Sequence, residues 1–265
     1  MELYKYNKER QKIIKVLNSV FGQNKRYDIS SDIYSRDLYD DLIFIKKNIK
    51  TIKDIRVLDV GCGKGHISAL ISSFLNIKVH AIDLESSYGE GGHFDTDSLG
   101  KKWQTVIWKK LKNNYSVNYK YYDGIKLPYK NHIFDIIIAY AVIEHVDDED
   151  RFLKNCYKSL KKGGRLFIFR CPSNLSFTEF LCKQLRLPHH SKLYSKKDLS
   201  LILRRNKFLI ESIEKYDTIP AFTPNGIFQN IWNRSYKLTR ILQALLTFYP
   251  FNIFSHHFRL FTIKK

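Results

Sequence analysis

The nine residues from Val57 to Gly65, VLDVGCGKG, constrain the fold of this chain more than any other segment. Apolar residues around Asp59 lead into Gly61, Gly63 and Gly65, and the next ten residues, HISALISSFL, have apolar positions at helical spacing. The pattern predicts a buried strand, a tight glycine turn and the start of a helix. Glycines in such a turn let the backbone approach a ligand where any Cβ would clash. We therefore expect a small ligand over this turn.

The glycine spacing separates two kinds of ligand. Dinucleotide sites use G-x-G-x-x-G and place a pyrophosphate on the helix N-terminus. Here the spacing is G-x-G-x-G, and Asp59 stands two residues before the first glycine. A carboxylate at this place favours a cationic ligand, and S-adenosylmethionine carries both a sulfonium and an ammonium.

Strand and helix patterns alternate along the rest of the chain. Apolar strands are predicted near residues 56–60, 78–83, 117–122, 134–139 and 165–170, with helices between them. This alternation predicts a parallel sheet covered by helices on both faces. A closing pair of strands is predicted at 208–216 and 258–264.

Five later segments stand in an order that resembles the class I S-adenosylmethionine-dependent methyltransferases. They are KVHAIDL ending near Asp83, VNYKYYDG ending in Asp123 and Gly124, FDIIIAYAVIEHV, LKKGGRLFIF, and HHSKLYSKKDLSLILRRNKF. With the glycine turn, the resemblance covers Val57 to Phe208. It implies an α/β fold, a Rossmann-like three-layer αβα sandwich whose seven-stranded, mostly parallel sheet has an antiparallel last strand.

The resemblance also implies the cofactor, S-adenosylmethionine, and the residues that bind it. Asp83 is expected to hydrogen-bond the ribose diol, and Asp123 to contact the adenine amino group. The implied set of cofactor-binding residues is Asp59, Gly61, Cys62, Gly63, Gly65, Asp83, Leu84, Asp123, Gly124 and Tyr140.

Methyl transfer to an oxygen benefits from a base, and the candidate catalytic residues are His145, His189 and His190, with Tyr194 as a further candidate. His145 follows Glu144 directly after the predicted fourth strand, and its alternative role is to fix that turn by hydrogen bonding. In some quinone-type O-methyltransferases such a Glu-His pair joins an earlier acid in a metal site. Because Ala141 stands at that earlier position, we predict no metal.

The charge of the chain is concentrated in its C-terminal half. Residues 1–150 hold 23 Lys+Arg and 21 Asp+Glu, a net of +2, whereas residues 151–265 hold 22 and 5, a net of +17. This asymmetry favours an anionic small-molecule or lipid-linked substrate, or a membrane surface, with nucleic acid as a less favoured partner. The alternative is a set of solvated lysines in a lysine-rich chain.

The predicted organisation has four parts. Residues 1–50 form a helical extension, 51–217 the cofactor-binding core, 218–257 a basic amphipathic insertion, and 258–265 the last strand. Within the insertion, residues 227–254 are interpreted either as a lid packed on the core or as a membrane-surface element. Gly89, Gly91 and Gly92 mark a second segment, 85–99, that is either a lid or a solvated turn.

Three functions are compatible with these patterns. The first is methyl transfer, most simply to oxygen, on a small or lipid- or phosphate-linked acceptor such as a glycan intermediate or a quinone. The second is nucleic-acid methylation, against which Tyr140 to Ile143 lack an Asn/Asp-Pro-Pro-Tyr motif. The third is a non-catalytic binding module. Four cysteines without metal or disulfide spacing, and no evident signal peptide or membrane span, lead us to expect a cytoplasmic protein, with peripheral contact at the inner membrane surface as an option.

Overall fold

A computed structural model describes residues 2–21, 32–49, 54–84, 100–186, 189–217, 241, 245–246 and 250–265. The helices are α1 (Glu2–Phe21), α2 (Asp32–Lys47), α3 (His66–Leu75), α4 (Gly100–Asn114), α5 (Glu149–Ser159), α6 (Phe177–Gln184) and α7 (Lys196–Arg205). The strands are β1 (Val57–Val60), β2 (Val79–Leu84), β3 (Val117–Tyr122), β4 (Phe134–Tyr140), β5 (Leu160–Pro172), β6 (Phe208–Tyr216) and β7 (His257–Lys264). Two short 3-10 turns cover Ile143–His145 and Phe251–Phe254.

The seven strands form one sheet in the order β3-β2-β1-β4-β5-β7-β6. The pairs among β1 to β5 are parallel, whereas β7 is antiparallel to both of its neighbours, β5 and β6. The predicted fold is therefore confirmed. Because β7 runs against the others, its first residue, His257, lies at the edge where the parallel strands end, which is the edge where ligands bind in such sheets.

Side chains alternate between the two faces of the sheet and enter two apolar cores. Val57 of β1 belongs to the core beneath α1 to α4, whereas Leu58 and Val60 belong to the core beneath α5 and α7. In the first core, Phe44 of α2 meets Phe167 and Phe169 edge to face at 6.2 and 6.0 Å between ring centroids. Helix α2 is thereby packed onto the sheet beside β5, and α1 packs against α2, α3 and α4.

The segment before β6 shows how local sequence sets the ends of α7. Ser195 accepts a hydrogen bond from the backbone N–H of Asp198, and Asp198 accepts one from that of Ser195, which forms a capping box. Asparagine is a common residue for the left-handed end of a helix, but Asn206 does not take that conformation. Asn206 has φ −90° and Lys207 takes the left-handed conformation at φ +66°. The Asn206 amide is held by Asp150 of α5 instead, which displaces the turn by one residue.

Several predictions concern segments that are only partly described. Residues 85–99 and 218–240, with most of 241–249, lie outside the described residues, so the lid and membrane interpretations of those segments stay predictions, as do the four domain bounds. Within the described part of the chain, no helix combines the length and apolarity needed to cross a membrane.

Candidate active site

The glycine turn lies between β1 and α3, with Gly61, Gly63 and Gly65 all left-handed at φ +72°, +53° and +82°. At two of these positions the protein itself forbids a side chain. A Cβ on Gly61 would lie 2.6 Å from Cγ2 of Val142, and one on Gly65 would lie 2.6 Å from Cε1 of Tyr119. The left-handed backbone and the neighbouring side chains therefore both require glycine here, in addition to any requirement set by a bound ligand.

Helix α4 and strand β2 hold this turn in place. The carboxylate of Asp83 accepts hydrogen bonds from the backbone N–H of Gly63 and, at 2.7 Å, from that of Leu84. The carbonyl of Gly63 accepts from Gln104 Nε2 at 2.9 Å and from Trp108 Nε1 at 3.0 Å. The sequence predicted α4 only as an amphipathic helix, and nothing in its pattern indicated that Gln104 and Trp108 bind the turn.

Asp59 lies beneath the turn and is fully buried. Its Oδ2 accepts a hydrogen bond from the Ser68 hydroxyl at 2.5 Å, and its Oδ1 has no hydrogen-bond partner among the described residues. Burial, together with the nearby Asp83, raises the pKa of Asp59 to about 7, although the hydrogen bond from Ser68 opposes the shift. A cation bound over the turn would favour the ionised form of the Asp59 carboxyl. Asp59 would then attract the cation electrostatically from beneath the turn.

The far end of the predicted cofactor site lies where β2 and β3 end. Asp123 is exposed, and its Oδ1 accepts from the backbone N–H groups of Lys126 and Ile125, which lower the pKa of its carboxyl. Leu84 and Ile125 are exposed apolar side chains next to the two acids. A Cβ on Gly124 would lie 2.7 Å from Leu84, so this close approach requires glycine. Acids interleaved with apolar side chains fit an adenosine, whose hydroxyls and amino group donate and whose ring is apolar.

Tyr140, predicted to bind the cofactor, is held in a polar network at the end of β4. Its hydroxyl donates to Asp41 of α2 at 3.0 Å and accepts from Arg170 Nε at 3.0 Å. Burial raises the pKa of Asp41 to about 7 although Arg170 and Arg259 oppose the shift. The network ties α2 to the sheet edge beside the cofactor turn.

Arg170 is the centre of this network. It is buried with a left-handed backbone, φ +59°, and its guanidinium pairs with Asp217 and, at 3.4 Å, with Asp37. His257 Nδ1 lies 2.9 Å from the same Asp217 carboxylate. Burial alone would raise the pKa of Asp217, but Arg170 and His257 lower it well below its ordinary range. Arg170 therefore acts as a buried structural cation.

A second polar cluster lies beyond the ends of β4 and β5. Glu179 of α6 accepts from the backbone N–H of His190 at 2.9 Å, and its Oε1 lies 2.7 Å from His190 Nδ1. Burial alone would raise the pKa of Glu179, but the hydrogen bonds from His190 lower it, so the ring nitrogen is the donor. Burial alone would lower the pKa of His190, but Glu179 raises it.

Two further histidines, His145 and His256, lie beside the Glu179–His190 pair. The His145 ring lies 6.1 Å from the His190 ring between centroids, and His145 Nε2 is 3.8 Å from Glu144 Oε1. Glu144 is buried, and burial raises its pKa to about 7. On the other side, His256 Nε2 lies 3.7 Å from Glu179, and burial lowers the pKa of His256 to about 3, which keeps that ring neutral.

Of the sequence-predicted bases, the structure brings His145 and His190 together and leaves His189 exposed beside them. Tyr194 is buried, and its hydroxyl bonds to the Ile143 carbonyl and to Glu149, which is a structural arrangement. Several residues of these clusters were not predicted from the sequence: Asp37, Asp41, Glu179, Asp217, His256 and His257. The available indication was that Glu179 and Asp217 are two of only five acids in residues 151–265.

One group of described residues could hold a metal ion. The ligand atoms of Glu144, His145 and His190 lie within 4.8 Å of one another. The sequence predicted no metal because Ala141 replaces an acid, and that expectation stays a prediction.

The fold, the acids around the glycine turn and the polar clusters beside it indicate a class of protein. Residues 58–168 match the sequence model of a family described as a methyltransferase domain. The chain is a class I S-adenosylmethionine-dependent methyltransferase, and S-adenosylmethionine is its cofactor.

Curated relatives and solved structures show which methyltransferases this chain is similar to. A ubiquinone biosynthesis O-methyltransferase of Pelagibacter ubique is 28% identical over 204 residues, which are 74% of each chain. A ubiquinone/menaquinone biosynthesis C-methyltransferase of Vibrio parahaemolyticus is 23% identical over 92% of this chain and 90% of its own. Among solved structures, the geranyl diphosphate C-methyltransferase of Streptomyces coelicolor has the same fold, with a TM-score of 0.56, 13% identity and coverage of 91% of this chain and 84% of its own.

Proposed function

We propose that this enzyme transfers a methyl group to a hydroxyl oxygen of a lipid-tailed acceptor of the quinone type. The observation that carries the proposal is the Glu179–His190 pair beside His145 at the sheet edge. A phenolic hydroxyl needs a base as its oxygen becomes a nucleophile, and a histidine oriented by a carboxylate is the usual form of that base.

The roles of the residues follow from their contacts. Glu179 engages Nδ1 of His190, and we assign Nε2, the opposite ring nitrogen, to accept the proton of the acceptor hydroxyl. S-adenosylmethionine, when bound, would supply the methyl group to this oxygen from its sulfonium and would leave as the neutral thioether. The cofactor supplies an already activated methyl group, so the protein mainly orients the reactants, which is worth about 7–11 kcal/mol of barrier in favourable cases.

The residues that would hold the cofactor are those of the glycine turn, with Asp83, Leu84, Asp123 and Gly124 at the ends of β2 and β3. The names of the relatives support a quinone-ring acceptor, and they include both O- and C-methyltransferases. The basic C-terminal half is consistent with a phosphate-linked acceptor as well, which makes a lipid-linked glycan intermediate the second acceptor to test.

The test offers the protein two prenylated acceptors, a catechol and a quinol with a free ring carbon, together with isotopically labelled S-adenosylmethionine. We expect a methoxy product from the catechol, identified by mass spectrometry and by the chemical shift of the new methyl group. Loss of transfer in His190→Asn with intact cofactor binding would support the assigned base. Exclusive methylation at carbon would refute the oxygen assignment, and label transfer to RNA or DNA alone would favour the nucleic-acid alternative.

A further inference from the structure

Helix α6 has its apolar residues on the outside and its acid on the inside. Phe177, Phe180, Leu181 and Leu185 are 59, 60, 43 and 58% exposed, whereas Glu179 is 6% exposed. Their spacing places the four apolar residues on one face. A surface helix of a globular domain normally has the opposite arrangement. Contiguous exposed apolar faces mark interaction surfaces.

The site itself fixes this orientation. Ser176 caps the helix by accepting from the backbone N–H of Glu179 at 3.1 Å, and its hydroxyl lies 2.9 Å from His256 Nδ1. Glu179 in turn holds His190. Rotating the helix to bury the phenylalanines would remove Glu179 from His190 and leave its charge without that partner, which is costly inside a protein.

The surroundings of the apolar face are basic. From Ser173 to Lys197 the sequence contains one acid, the buried Glu179, and five Lys or Arg. Lys183 and Arg186 are exposed at the C-terminal end of the helix. Aromatic and aliphatic side chains beside such cations match the interfacial region of a bilayer with anionic lipids.

We propose that the outer face of α6, formed by Phe177, Phe180, Leu181 and Leu185, docks on an anionic lipid membrane. The inference rests on the proposed lipid-tailed acceptor and deepens it, because the inner face of the same helix holds the base. A head group leaving the bilayer then has to pass only one helix to reach His190. Membrane contact was one of two interpretations of residues 227–254, most of which lie outside the described residues, and the proposal here concerns a described surface, that of α6.

The test is flotation of the full chain with vesicles of phosphatidylcholine alone or with phosphatidylglycerol, at low and high salt, without cofactor or acceptor. We expect binding to the anionic vesicles that weakens with salt. The double variant Phe177→Ser/Phe180→Ser should lower the partition at least tenfold. Lys183→Glu/Arg186→Glu should remove the preference for anionic vesicles, since each cation near such a surface contributes about fivefold.

Leu201 of α7 provides the matched control, because it is 58% exposed, as Leu185 is. Leu185→Ser should weaken vesicle binding and Leu201→Ser should not, with equal melting temperatures for both. The proposal is overturned if the parent protein does not bind at low salt, or if the α6 variants bind as the parent does. It is also overturned if sedimentation shows a dimer that the double variant dissociates, since the face would then bind a second copy. Methylation of a water-soluble catechol is assayed separately, so failure of docking and failure of the proposed function are distinguishable.

Discussion

Glu179 holds His190 at two points: its carboxylate accepts from the backbone N–H of His190 at 2.9 Å and engages the ring Nδ1 of the same histidine at 2.7 Å. Two bonds from one partner fix both the position and the rotation of the imidazole. In the proposed mechanism Nε2 takes part in proton transfer, and Glu179 has a positioning role.

Replacing Glu179 with Gln should lower kcat by about 10- to 100-fold, the range seen when an orienting partner is lost. The Glu179 carboxylate raises the pKa of His190, so its removal should lower that pKa. Because the base works in its neutral form, the acid limb of the pH–rate profile should move to lower pH. Glu211→Gln, an exposed acid of β6, is the matched control. An unmoved acid limb in Glu179→Gln would contradict the assignment.

Asp41→Asn should stabilise the protein at neutral and higher pH. Burial raises the folded pKa of Asp41 to about 7, above the ordinary value of 3.8. As the pH rises from about 4 to 7, the unfolded chain loses this proton before the folded one, so stability falls and then levels off. The variant should match the parent near pH 4 and exceed it at pH 8 by a few kcal/mol at most, because a tenfold difference in proton affinity between the folded and unfolded chain is worth about 1.4 kcal/mol. Urea unfolding at both pH values measures this.

The control for that comparison is Asp54→Asn, at an exposed position. It should give the same difference from the parent at both pH values. A stability gain of Asp41→Asn that is independent of pH would show that Asp41 is ionised throughout.

Comparing the stability of Gly65→Ala with that of Gly163→Ala separates the cost of a strained backbone from the cost of a crowded side chain. Both glycines are left-handed, at φ +82° and +74°, but a Cβ meets Tyr119 at 2.6 Å only on Gly65 and meets nothing within 4 Å on Gly163. Both variants should lose about 1–2 kcal/mol from the backbone, and Gly65→Ala a further 1–3 kcal/mol from overpacking. Equal losses in thermal or urea unfolding would show that Tyr119 moves aside without cost.

Dialysis against EDTA should leave methyl transfer unchanged. Metal ligands must be deprotonated, whereas burial raises the pKa of Glu144 to about 7 and Glu179 raises that of His190. Ala141 offers no further ligand. Activity and bound metal, measured by atomic emission before and after dialysis, check this. Activity that is lost and then restored by Mg²⁺ or Zn²⁺ would show that Glu144, His145 and His190 hold an ion.

Much of the fold was predictable because it depends on patterns of neighbouring residues. Apolar runs and alternating patterns, separated by segments with helical spacing, predicted strands such as 117–122 at their observed bounds. The acids after the strands were predictable too, since the carboxyl ends of parallel strands meet at one edge. The end of α7 shows the limit of local rules, because contact of Asn206 with Asp150, 56 residues away, moved the left-handed turn to Lys207.

The sequence by itself determined the class of fold, the cofactor turn and the acids that surround it, since each depends on neighbours within a few residues. Only the tertiary structure decided which polar groups act together. Ser176 and His256 are 80 residues apart, and Arg170 and Asp37 are 133 apart, yet they share hydrogen-bonded clusters. It also decided that α6 turns its phenylalanines outward. Pairing with His190 stabilises the buried Glu179, and this stabilisation outweighs the tendency of α6 to bury its apolar face. The spacing of residues along the helix does not show which of the two effects is larger.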